Sequence, residues 1–200
     1  MRRALNRVTP SRLAVTAVLT AAVFGALGSG AAQAATPGSG IASTAKSQLG
    51  ADACGKNNKG YDGGKLQHNS CKNGREAHAW CADFAGWVWA KNGVKHVDEL
   101  TDAAASFYTY GVKHKTVHKT PKIGDAIVYN YGGGMGDDHV ALVTGVRKNS
   151  AGKIVSITVI GGNQGATPGH VTEHANVTQF KVGDAPFGKP ISGYVSPVAG

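Results

Sequence analysis

The sequence predicts an α+β fold, with helices in the first half of the domain and an antiparallel sheet in the second. Three observations lead there. Before Pro121, apolar residues recur at helical spacing, with glycine stops after Leu49 and Asn92. After Pro121 the pattern changes to short β-branched runs separated by Gly, Asn and Asp clusters. Helices first and strands afterwards is the order in which an antiparallel meander, here of about five to six strands, packs on a buried helix.

The 200 residues open with a stretch that stands apart from this domain. Arg2, Arg3, Arg7 and Arg12 form a basic start, Leu13 to Leu27 is uncharged and rich in Ala, Val and Leu, and Ala32-Gln33-Ala34 fits an A-x-A cleavage signal. That order is a secretory signal peptide over residues 1–34. The apolar run is short for a membrane span and no cationic stop follows it, so no stable membrane insertion is expected after cleavage; an uncleaved anchor is the alternative. The Arg2-Arg3 pair hints at the twin-arginine route, while the residues after it favour the general secretory route. Losing four of 21 basic residues against 12 acidic ones leaves a balance of +5. Such a charge either draws an exported protein to anionic wall polymers or acidic head groups, or serves solubility. No basic helix, aromatic-basic RNA motif or finger spacing points to nucleic acid.

Residues 35–40 read as a short linker, and 41–200 as the domain. Ile41 to Leu49 has apolar residues at 41, 45 and 49 and stops at Gly50, as a helix does. Trp80 to Asn92 is apolar on nearly every side (Trp80, Phe84, Ala85, Trp87, Val88, Trp89), which places it in the middle of the domain. Asp98 to Tyr110 reads as a third, more superficial helix. Strands are expected over 125–131, 139–147, 154–160, 171–180 and 191–195.

Cleavage leaves Cys54, Cys71 and Cys81, an odd count that leaves one thiol over in an oxidising compartment. Cys54 and Cys71 bracket the polar, glycine-rich stretch 55–70. Closing a loop of that length contributes roughly 3 kcal/mol in the chain-entropy picture. Pairing these two leaves Cys81 free; the sequence leaves the other two pairings open.

Cys81 begins the central helix, where unpaired backbone N–H groups and the helix dipole favour a thiolate. It is either a nucleophile or a small core residue, since 81, 84, 85 and 88 share one helical face. His139 opens a strand whose alternate positions 139, 141, 143 and 145 are His, Ala, Val and Gly, against Val, Leu, Thr and Val on the other face. The smaller face suits contact with a large helix, which would bring His139 to the sulfur as a general base; the alternative is a histidine that caps a strand at the surface. Asn163, in Gly161-Gly162-Asn163-Gln164-Gly165, ends the next strand. Its amide oxygen can accept the Nδ1 proton and leave Nε2 toward sulfur, or the residue simply makes a glycine-rich turn. Trp80, Glu76 and Asp83 flank the thiol; Asp83 also suits the first turn of a helix. His78, three residues before Cys81, either borders the site or is a surface or loop residue. His170 and His174 share a face but have no carboxylate or cysteine pattern around them, so neither a metal nor a cofactor is expected.

Trp80-Cys81-Ala82-Asp83-Phe84, Gly124-Asp125, His139-Val140-Ala141-Leu142-Val143 and Ile160-Gly161-Gly162-Asn163 together resemble the CHAP family. These are cysteine, histidine-dependent amidohydrolases/peptidases on a papain-like α+β scaffold that cut bacterial wall peptides. The resemblance runs from about Gly40 to the C-terminus. It implies that Cys81 is the nucleophile, His139 the general base and then acid, and Asn163 the orienting group. Many members carry a Glu two residues before that Asn, where this chain has Gly161. The stapled loop before Cys81 also looks unusual for the family. With the export signal, the resemblance further implies a secreted peptidoglycan amidase or endopeptidase; a monomer is expected. The alternative is a cell-wall-binding module that kept the scaffold and lost turnover. The related Cys-His-His wall endopeptidases fit less well, because their usual Asp-Cys-Ser context is absent.

Overall fold

The computed structural model describes residues 37–133, 138–165 and 169–200. The expected signal peptide, 1–34, lies outside them. A first helix, α1 (Pro37–Ser47), begins inside the stretch read as a linker. Proline is tolerated there because the first helical N–H has no intrahelical acceptor to lose. The stapled loop follows, closed by a Cys54–Cys71 disulfide. It ends in a small hairpin, β1 (Cys71–Lys72) and β2 (Arg75–Glu76), turned by Asn73 and Gly74 at positive φ. Asn-Gly is the usual sequence signal for such a turn. The central helix is α2 (Cys81–Lys91).

The third expected helix is split. Val97–Glu99 forms one 3-10 turn, Leu100 is extended, and α3 runs over Ala105–Lys113. Ser106 explains the break. Its hydroxyl accepts from Thr101 N–H (3.2 Å) and donates to Thr101 C=O (3.3 Å), offering that backbone an alternative to helix.

Six strands form one antiparallel sheet: β3 (Val117–His118), β4 (Ala126–Tyr129), β5 (His139–Lys148), β6 (Ile154–Gln164), β7 (His170–Val177) and β8 (Ile191–Val195). Their spatial order is β3-β8-β4-β5-β6-β7. Three helices packed on this sheet make an α+β domain of papain-like type. Helix α2 lies across β5 and β6, and α1 packs on β5. Among the described residues no helix is long and apolar enough to cross a membrane.

The sheet has a core on each side. Trp80, Phe84, Val88 and Trp89 meet Val140, Leu142 and Ile160 on the helical side. Ile127, Tyr129, Ala141, Val143, Val159 and Tyr194 fill the other. The alternation along β5 is therefore opposite to the one expected. The bulky residues Val140 and Leu142 meet the helices, while the smaller face makes room for Tyr129 and Tyr194. The helix supplies small residues of its own, Ala82 and Ala85, so it does not need a small strand face.

The stapled loop belongs to this core. Tyr61 is 1% exposed and stacks on Trp80 with ring centroids 5.5 Å apart. Its edges meet Phe84 and Trp87 at 5.1 and 5.2 Å. Gln67 Nε2 donates to Ala82 C=O at 2.9 Å and to Thr101 C=O at 3.2 Å. Gly86 permits that approach, because a Cβ there would come within 2.4 Å of Gln67 Oε1. The loop braces the first turns of α2.

Candidate active site

Four strand ends share one rim of the sheet. β4 stops at Tyr129, β5 starts at His139, β6 stops at Gln164 and β7 starts at His170, with Tyr129 opposite His139 and Gln164 opposite His170. The N-terminus of α2 reaches the same rim. A Cβ on Gly162 would fall 2.5 Å from the Trp80 ring and 2.7 Å from Phe84 Cβ. Trp80 precedes the helix with no side-chain cap, and the first helical bond runs from Phe84 N–H to Trp80 C=O at 3.0 Å. The N–H groups of the first turn have no intrahelical acceptors, which makes them oxyanion donors in waiting.

Cys81 is the free cysteine, 8% exposed, and stands in that first turn. Burial pushes its thiol up from 9.0 to about 11, while the backbone at Val140 and Ala82 acts in the opposite direction. Desolvation thus opposes the helix terminus, which by itself favours the thiolate.

His139 is half-buried on the face away from α2, beside Tyr129, with ring centroids 5.9 Å apart. Burial first, then the positive charges of Lys189 and His174, push its imidazole down from 6.5 to about 4. Among the described residues no hydrogen bond joins it to Cys81. The two are nevertheless neighbours along the chain path, because the sulfur interacts with the backbone of Val140, the residue after His139. The ring's partner is Gln164, whose Nε2 lies 2.7 Å from His139 Nε2. Thr172 Oγ1 donates to Gln164 Oε1 at 3.0 Å. The expectation that an amide would hold Nδ1 and leave Nε2 for sulfur is therefore reversed, and Nδ1 is the nitrogen that Gln164 leaves alone.

Asn163 lines the same cavity of about 200 Å³ as His139, Gln164, His174 and Lys189. Its side-chain oxygen is turned toward Gly169, where a Cβ would come within 2.5 Å of it. The sequence ends this strand at Ile160 and leaves Asn163 as orienting group or turn residue; β6 runs on to Gln164 by way of a bulge, with Asn163 at φ 55°. The extra residue changes the parity of the strand. Gln164, not Asn163, shares a face with His139.

The flanking candidates divide. Trp80 is fully buried under Tyr61, and Glu76 is exposed on the hairpin. Asp83 is fully buried, and its Oδ2 lies 2.7 Å from His78 Nε2. Burial raises its carboxyl to about 6 against the pull of His78. Asp83 therefore anchors the loop before α2 to the helix and does not face a substrate. His78, read from the sequence as bordering the site or as a surface or loop residue, is its partner.

Two other clusters are structural. His118 Nε2 and Asp125 both converge on the Ser196 hydroxyl, at 2.8 Å each. In a nucleophilic triad the carboxylate would sit on the far ring nitrogen. Here His118 Nδ1 is buried without a partner. Ligand atoms of His96, Glu99 and His114 lie within 4.8 Å of one another. Lys113 Nζ already stands 2.8 Å from Glu99 Oε1, which supplies the counter-charge and ties the 3-10 turn to α3.

The family model of the CHAP domain matches residues 72–163. The chain carries a CHAP domain. Comparison with curated proteins and with solved structures gave no match. The matched span runs from β1 to the bulge of β6, so it holds Cys81, His139 and Asn163 and stops one residue before Gln164. The family implies a cysteine, histidine-dependent amidase or peptidase.

Proposed function

We propose that this CHAP domain is an exported hydrolase that cuts peptide or amide bonds in the peptide part of bacterial peptidoglycan. Cys81 is the nucleophile and His139 the base. The observation that carries this reading is the position of the thiol: an unpaired cysteine at an uncapped helix start, against the backbone of the residue that follows His139. The signal-like segment 1–34 and the disulfide support export, since disulfides persist in oxidising compartments.

At rest both groups are neutral over the wide range between about 4 and about 11. The nucleophile then forms as it reacts. Substrate binding closes the gap at the rim, and the thiol gives its proton to Nδ1 of the Nε2–H tautomer of His139, with the Gln164 amide turned over to accept from Nε2–H, as sulfur attacks the carbonyl carbon. Backbone N–H groups of the first turn of α2 receive the oxyanion. The imidazolium returns the proton to the leaving amine as the C–N bond breaks, leaving a thioester on Cys81. Water, deprotonated by His139, attacks the thioester and releases the acid and the thiol.

Gly161, where many relatives carry a carboxylate, favours a second reading in which the scaffold binds wall polymer without turnover. Incubation with purified sacculi separates the two. A hydrolase exposes new free amino groups, measurable by dinitrophenylation. A binder sediments with the sacculi and exposes none, which would overturn the hydrolase reading.

A further inference from the structure

We propose that Gln164 is the positioning residue of His139, and that Gly161 is the vacancy that lets its side chain fold back onto the ring. The inference deepens the proposed activity and rests on that reading for its kinetic arm alone. Three observations converge on it. The amide meets His139 Nε2 at 2.7 Å and is held from behind by Thr172. A Cβ on Gly161 would lie 2.7 Å from Gln164 Nε2, 2.8 Å from its Cδ and 3.1 Å from Ala141 Cβ, so any side chain there displaces the amide. The β6 bulge, with Asn163 at φ 55°, puts residues 161 and 164 on the same face.

The chemistry fits a group that follows the ring through its proton cycle. A carboxamide has a donor end and an acceptor end, and the Thr172 hydroxyl can donate or accept. With its nitrogen toward the ring, Gln164 stabilises an unprotonated Nε2. Turned over, it presents Oε1 to Nε2–H, which keeps Nδ1 open to take the thiol proton and then stabilises the imidazolium. A carboxylate at 161 would favour the charged ring throughout; an amide permits both states. The groups facing the ring are Tyr129 of β4, His174 of β7 and Lys189. Asp138, just before it, is engaged by Ala105 N–H at 2.8 Å.

The test is ring ¹⁵N NMR of histidine-labelled protein through a pH titration, on the wild type and on Gln164→Leu, Gln164→Glu and Gly161→Ala. In the wild type, the His139 ring nitrogens should report one dominant tautomer. In Gln164→Leu and in Gly161→Ala the two tautomers should average. In Gln164→Glu the His139 inflection should rise by at least about one pH unit, because a carboxylate at Nε2 favours the charged ring. On sacculi, Gln164→Leu should lose kcat by on the order of a hundredfold with KM little changed, and Gln164→Glu should recover part of it. If His139 in Gln164→Leu and Gln164→Glu keeps the wild-type shifts and inflection, the inference is overturned whatever the activity. A wild type that never cuts sacculi would instead overturn the hydrolase reading, and the NMR result would still decide the role of Gln164.

Discussion

Alkylation of Cys81 in the resting protein distinguishes burial from the helix terminus as the factor that sets its reactivity. Burial lifts the thiol from 9.0 to about 11. Two pH units leave roughly a hundredfold less thiolate at neutral pH, equivalent to about 2.7 kcal/mol. Iodoacetamide acts on the thiolate, so its rate constant should climb through the alkaline range and inflect near the folded value. The same protein in urea should inflect near 9, as an ordinary thiol does. Intact-mass spectrometry reads the rate cleanly, because Cys54 and Cys71 are joined and only Cys81 can be labelled. Linkage adds an independent check. A thiol whose pKa is raised on folding contributes stability that is fully present below pH 9 and lost as pH rises toward 11. Cys81→Ala should remove that alkaline loss. An inflection at or below about 8.5 without substrate would contradict burial as the dominant factor. It would mean that the helix terminus, or a formed contact with His139, outweighs desolvation.

Three further perturbations test the scaffold around the thiol. The His139 imidazole is depressed to about 4, so its contribution is present above pH 6.5 and lost as pH falls toward 4. This loss is worth about 3 kcal/mol, and urea unfolding of His139→Asn should lack it. Asp83, raised to about 6, acts in the opposite direction, so only the difference between wild type and variant is diagnostic. Tyr61→Ala removes the ring beneath Trp80, Phe84 and Trp87 and should cost about 3–5 kcal/mol by urea unfolding. A cost below about 1 kcal/mol would mean that the stapled loop is decoration. Reduction of Cys54–Cys71, 17 residues apart, should lower stability by about 3 kcal/mol. No change in the urea midpoint would mean that the tyrosine and Gln67 hold the loop without it.

What the sequence made legible follows from how local each signal is. The α2 segment, the strands and the odd cysteine are written in periodicity, turn residues and parity of count, and their ends differ from expectation by only a few residues. The hairpin at Asn73-Gly74 has a strong local signal, Asn-Gly, but it lies in a loop with no apolar period to mark strands on either side. Two features were not legible from alternation alone. Which face of β5 meets the helix depends on the partners of both faces, and Ala82 and Ala85 let α2 accept Val140 and Leu142. The identity of the amide on His139 depends on a bulge, which moves the choice from Asn163 to Gln164 by adding one residue. Asp83 and His78 form a buried pair across the start of α2, a contact that composition does not announce.

The proposed hydrolysis stands on attack by Cys81 on a wall amide. The most direct measurement is mass spectrometry of the muropeptides released when sacculi are incubated with the mature protein and with Cys81→Ala, both first shown to be folded. The wild type should release a defined set of shortened stem or cross-bridge peptides, with a mass that names the bond, and the variant none. Equal product sets from the two proteins, or no products from either, would contradict it.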